Sequence, residues 1–154
     1  LWMPKIPDVI SIENIKKKYN YVPKRFEFTP VIGLYDNPNN QLQDLAKIDI
    51  SKDGNTIIYG MSGSGEDLLF RTIVYSLSVE HSPLEVNIYA IDCGSETMGL
   101  LKKFPHVGDV AYINDQEKII NLLKLVSEQI SIRKKMFVEY NGEYNYYVKN
   151  LNLI

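Results

Sequence analysis

Residues 56–72, TIIYGMSGSGEDLLFRT, constrain this chain more than any other stretch. A short β-branched and aromatic run ends at Gly60, three glycines fall within six residues, and apolar residues at helical spacing follow. Branched and aromatic side chains favour extended backbone, and glycine opens conformations that other residues avoid. The stretch therefore predicts a strand, a glycine loop and a helix running over 66–82, with Leu68, Leu69, Ile73 and Leu77 on its apolar side and Pro83 closing it. The same alternation continues downstream. "EVNIYAID" (85–92) and "VAYI" (110–113) predict strands, "ETMGLLKKF" (96–104) a short helix, and "QEKIINLLKLVSEQISIRKKMFVEY" (116–140) the longest helix. Asn114 and Glu117 stand at capping-box spacing for that last helix, and Ile119, Leu122, Leu123, Val126, Ile130 and Phe137 form its stripe. Strand and helix in alternation specify an α/β fold, a mainly parallel sheet covered by helices. Ligands in such sheets bind at the carboxyl ends of strands, which puts the first strand–helix turn at the centre of interest.

That turn has the skeleton of a phosphate-binding loop. Gly60 and Gly65 have the spacing of G-x-x-x-x-G-K-[ST], so Gly60, Met61, Ser62, Gly63, Ser64, Gly65, Glu66 and Asp67 form the candidate nucleotide-binding loop. Glu66 replaces the lysine and Asp67 the Ser or Thr. The backbone half of the device, an anion nest at a helix N-terminus, is retained. The side-chain half, which neutralises the outer phosphates and holds magnesium, is not. Two unit charges ~4 Å apart interact with about 4 kcal/mol at a moderate effective dielectric. Exchanging attraction for repulsion therefore swings several kcal/mol, and each ~1.4 kcal/mol is tenfold in affinity. The two acids also suit the first turn of a helix, by roughly 0.3–1 kcal/mol each. Two alternatives stay open: a loop stable without ligand, or a glycine-rich connection that never bound one.

Upstream, residues 1–30 hold Pro4, Pro7, Pro23 and Pro30 and read as a linker that packs on the domain, with a short helix in "SIENIKKKY" (11–19) capped by Ser11. Lys16-Lys17-Lys18 reads as a solvated face. "TPVIGLYDNPNNQ" (29–41) predicts a strand and a turn at Asn37-Pro38-Asn39-Asn40, "DLAKIDIS" (44–51) another strand, and "DGN" (53–55) a hairpin turn. Residues 31–154 make the second unit. Seventeen basic residues against nineteen acidic ones offer no general attraction to nucleic acid. Cys93, the single cysteine, makes no internal disulfide and reads as a small, partly buried thiol. No apolar run approaches the ~20 residues of a membrane helix. The absent initiator methionine and the Pro-rich start suggest an excised domain.

Several ordered motifs together resemble the FtsK/SpoIIIE-type ATPase modules. These are residues 57–77, "VNIYAIDCGS" (86–95), "FPHVGDV" (104–110) and "EQISIRKKMF" (128–137). "VIGLYDNPNNQLQDL" (31–45), Asp92 to Ser95 and "PHVGDV" sharpen this to the tandem ATPase domains of the EssC family, membrane-bound ATPases of type VII secretion. The resemblance implies a RecA-like P-loop NTPase fold and a truncated module, since the later acidic Walker B strand is not reached by Ile154, where "LNLI" is a candidate beginning. It implies a bacterial membrane protein whose cytoplasmic domain this is. Its implied partners are neighbouring ATPase domains, small helical secreted proteins with a C-terminal export signal and other secretion components. Glu66 and Asp67 depart from the family and point to a degenerate, non-hydrolysing module with no catalytic residues, no metal and no cofactor. An active ATP- and magnesium-dependent motor and a structural spacer are the alternatives.

Among the remaining candidates, His81 and His106 are too lightly accompanied for a metal, and His106 reads as a structural residue at a strand entrance. Asp92 either faces the loop or caps a turn. Arg133, Lys134 and Lys135 suit a helix C-terminus, with an arginine finger as the alternative. Tyr140, Tyr144, Tyr146 and Tyr147 either pack normally or form a docking patch.

Overall fold

The computed structural model describes residues 4–61, 63–94 and 96–151. Helix α1 (Ile12–Lys18) starts at Ser11, whose hydroxyl accepts the Asn14 N–H, as the sequence predicts. Strands β1 (Val31–Asn37) and β2 (Leu42–Lys47) then form an antiparallel hairpin with Leu34 opposite Leu45. A 3-10 turn, Pro38–Asn40, joins them, and the Asn37 side chain accepts the Asn40 N–H at 3.3 Å. Ile15, Val31 and Leu45 bury one another, so α1 seals one face of the hairpin.

The expected strand over 44–51 ends early. Asp49 accepts the Lys52 N–H at 3.1 Å and starts a single turn, α2 (Ile50–Asp53). Gly54, at φ +70, closes that turn and makes no hairpin, so "DGN" is corrected to a helix terminus.

Helix α3 (Glu66–Glu80) leads to β3 (Ile88–Asp92), and a 3-10 segment, Thr97–Lys103, leads to β4 (Val107–Tyr112). β3 and β4 are parallel, with Ala90 opposite Val110. Val74 of α3, Leu101, Val107 and Val110 form the second core. Helix α4 (Gln116–Val138) follows, then α5 (Tyr144–Leu151). The architecture is the predicted α/β arrangement with a parallel pair.

Several expectations change. Residues 56–60 pair with no strand among the described residues, and Ile57 and Tyr59 are 74% and 89% exposed. β-propensity expresses itself only against a neighbour, so the parallel sheet has two strands here and not three. β3 and β4 begin three residues away from where periodicity placed them. Residues 97–103 coil as 3-10 and not α-helix; Gly99 there sits under the Tyr112 hydroxyl, 2.6 Å from where a Cβ would stand. Asp115, and not Asn114, caps α4 by accepting the Lys118 N–H at 3.1 Å, which puts Glu117 one position short of a capping box. The α4 stripe is only half covered, with Leu123 and Ile130 exposed, and Leu68 of α3 is exposed as well. The tyrosines of the tail pack on α4: Phe137 meets Tyr147 at 5.2 Å and Tyr144 at 6.2 Å. "LNLI" beyond Leu151, and residues 1–3 of the linker, lie outside the described residues.

A buried polar node joins the two cores, with the Tyr75–Glu13 and Arg25–Glu85 contacts nearer the surface. Ser76 of α3 is fully buried. Its hydroxyl accepts the Val31 N–H at 3.1 Å and the Lys16 ammonium at 2.8 Å, and donates to Glu80 at 2.9 Å. Lys16 and Glu80 also form an ion pair with side chains 13% and 3% exposed. Lys16 is thus no part of a solvated face. Breaking a buried pair leaves a charge without compensation, at about 3–5 kcal/mol. Removing one partner of a buried hydrogen bond costs roughly 1–3 kcal/mol.

Asp109 of β4 performs a similar service at the rim. It pairs with Lys118 of α4 at 2.7 Å and with Lys102 at 3.2 Å. The Lys118 ammonium foremost, with the Val110 N–H and Lys102 behind it and burial working against them, holds its carboxyl at about 2, below the ordinary 3.8.

Two outcomes are expected. Lys16→Met lowers the urea midpoint more than Ser76→Ala, by about 3–5 against 1–3 kcal/mol in unfolding free energy. Since the folded pKa of Asp109 is depressed, its stabilisation is full above pH 3.8 and lost as pH falls through about 2. Unfolding midpoints followed from neutral pH to pH 2 show a shallower acid loss in Asp109→Asn than in the parent.

Candidate functional site

The loop before α3 folds as a glycine turn. The Ser64 N–H donates to the Met61 carbonyl at 2.9 Å, and Gly63 and Gly65 adopt φ of +81 and +100. These angles are strained for any residue with a Cβ. Gly65 is the N-cap of α3 and provides no side chain to the first N–H groups, leaving the positive end of the helix turned to the loop. Ser62 lies outside the described residues.

The two acids go to different places. Glu66 bends back, and its Oε2 accepts the Ser64 hydroxyl at 2.9 Å. The same oxygen lies 3.3 Å from where a Cβ on Gly60 would stand, and such a Cβ would run into Ser64 Oγ. Glu66 therefore folds back over the start of the loop, beside Gly60 and Ser64. Asp67 turns to the neighbouring segment, and its Oδ2 accepts the Thr97 hydroxyl at 3.0 Å. Arg71 donates to the Asp67 carbonyl at 3.2 Å. Chemically, the arrangement offers amides and a helix dipole of the right sign, and carboxylates of the wrong sign.

Asp92, at the end of β3, settles as the acid of a turn. Its carboxylate accepts the N–H of Gly94 at 3.0 Å and of Met98 at 3.2 Å. Burial pushes it up, but the N–H groups of Gly94, Met98 and Glu96 outweigh that and hold it below the usual aspartate value. Ser95, which shares its motif, lies outside the described residues. Cys93 is exposed, where a partly buried thiol was expected, because it follows the last paired residue of β3.

His106 precedes β4, is buried, and donates Nε2–H to the His81 carbonyl at 2.7 Å. That agrees with a structural residue at a strand entrance. His81 is buried too, and burial moves its pKa below the ordinary histidine value. No cluster of three or more potential metal ligands occurs among the described residues. No described helix is long and apolar enough to cross a membrane. Sequence reasoning missed Thr97 and Lys16. Thr97 sits in a segment read as an ordinary helix, and a lysine in a run of three looks solvated.

Residues 21–143 match the FtsK/SpoIIIE family, and so span the hairpin, the loop, both parallel strands and α4. The chain belongs to the FtsK/SpoIIIE family. Within it, the relatives are secretion ATPases. The ESX-1 secretion system protein EccCb1 of Mycobacterium tuberculosis is 29% identical over 141 residues, covering 91% of this chain and 23% of the relative. Thermomonospora curvata EccC (ATPases 2 and 3), solved in complex with a signal sequence peptide, superposes with a TM-score of 0.74 at 31% identity, over 84% of this chain and 23% of that one. EssC (ATPases 2 and 3) from Geobacillus thermodenitrificans gives 0.72 at 25% identity, over 90% and 25%. The chain thus spans between a tenth and a quarter of the length of the proteins it matches, and its fold is that of these ATPase domains.

The loop geometry has a direct test. Gly65→Ala forces a Cβ into a positive-φ position and is expected to cost about 1–3 kcal/mol. Gly94, with open space around it, is the control. Gly94→Ala is expected to leave the thermal midpoint almost unchanged.

Proposed function

We propose that this domain is a degenerate, non-hydrolysing ATPase-like module of a type VII secretion motor, which acts by docking clients or neighbouring domains, or by regulating active modules in the same chain. The observation that carries it is the Glu66 carboxylate folded onto Ser64, beside Gly60. A phosphate loop needs a cation at that sequence position. Here a carboxylate meets the loop instead, and an incoming polyphosphate faces both its charge and that of Asp67.

In this reading residues 60–67 are a nucleotide site in form only, and no cofactor is required. Residues 1–30 join the module to its neighbour, and 31–154 are part of an ATPase domain on the cytoplasmic side of the membrane. Its partners are adjoining ATPase domains of the same chain and helical secreted proteins. The Thermomonospora relative, solved with a signal sequence peptide, lends weight to client docking.

Calorimetric titration with ATP–magnesium tests the nucleotide half. No heat attributable to micromolar binding is expected; micromolar affinity overturns the degenerate reading and favours an active motor. Deletion of the module from the full chain tests the rest. Loss of client binding and export is expected, whereas unimpaired export points to a spacer.

A further inference from the structure

The loop's second acid has a consequence separate from the first. Asp67 stands where a phosphate loop places the hydroxyl that holds magnesium. Such an ion ties the start of the helix to whatever surrounds the nucleotide. Here the start of α3 is tied without an ion. Asp67 Oδ2 accepts the Thr97 hydroxyl across thirty residues of sequence. Thr97 opens the 3-10 segment that follows β3.

That segment is held at further points. Asp92 at the end of β3 accepts the Met98 N–H at 3.2 Å, one residue beyond Thr97. Leu101 packs in the core with Val74 of α3. The 3-10 segment is thus fastened to α3 by an apolar contact in the core and a polar one at the helix start. Lys102 also pairs with Asp109 of β4 at 3.2 Å, so the Asp67–Thr97 bond is the segment's polar tie to the start of α3 and not its sole fastening.

We propose that Asp67 and Thr97 form a built-in clasp that locks the start of α3 to residues 97–103 without nucleotide or metal. The coupling that a bound ion supplies elsewhere is then a permanent property of the fold. This deepens the degenerate reading of the same loop and rests on it for its biological sense. The clasp itself is a physical claim about the ligand-free protein.

Amide hydrogen exchange on the full chain, in the absence of nucleotide, decides it. Thr97→Val keeps the Asp67 charge and the side-chain volume and removes the donor. It is expected to speed exchange about tenfold in residues 98–103 and in the first turn of α3, the size set by loss of one hydrogen bond to a charged group. Asp67→Ala is expected to do the same to residues 98–103. The double variant should speed exchange there by less than the two single effects combined, because both remove the same bond. The β1–β2 hairpin should keep its protection in all three, which separates clasp opening from general loosening. Thr97→Val exchanging like the parent overturns the clasp, and so do additive effects in the double variant. The result is independent of the nucleotide titration: micromolar ATP binding would sink the degenerate reading while leaving these ligand-free rates as they are.

Discussion

The structure hangs on one buried hydroxyl. Ser76 gathers a backbone N–H from β1, an ammonium from α1 and a carboxylate from its own helix, and it has no room to do anything else. Each partner belongs to a different part of the molecule. Val31 brings the antiparallel hairpin, Lys16 the N-terminal segment, and Glu80 the far end of the helix whose near end is the glycine loop. The two apolar clusters share no buried residue, and this polar node is the buried link between them. A lysine and a glutamate in such a place are tolerable only because each meets the other and the hydroxyl at once.

The opposite end of α3 is governed by charge. A helix N-terminus attracts anions, and this chain supplies its own. Glu66 accepts the Ser64 hydroxyl within the loop, and Asp67 reaches across to Thr97 of the next segment. Membership of the FtsK/SpoIIIE family explains the scaffold: a glycine turn between an extended run and a helix, beside a parallel pair. The family scaffold and the two acids make different demands on the same eight residues, and both are visible in the geometry.

Much of this was legible in the residues. The strand–turn–strand order over 31–47, the Ser11 cap, α3 and α4 follow from turn chemistry and periodicity, which are local. The α/β class followed from the order of elements, and the loop from glycine spacing. What was not legible depends on partners distant in sequence. Residues 56–60 have the composition of a strand, but a strand exists only beside another. Lys16 looks like its solvated neighbours until Glu80, sixty-four residues away, comes beside it. Thr97 carries no mark in the sequence, because a hydroxyl becomes meaningful only when an acceptor is brought to it. The shift of the α4 cap from Asn114 to Asp115 is of a smaller kind: two adjacent residues can both cap, and the first turn chooses between them.

The extended run before the loop has one more consequence. Ile57, Tyr59 and Met61 are branched, aromatic or sulfur-bearing side chains left in solvent, on backbone that no described strand engages. Such a segment is a template for any other strand that reaches it, whether from a legitimate neighbour or from a stray copy. Colloidal behaviour therefore reports on architecture. Sheltering this run removes one source of self-association with concentration, and baring it adds one.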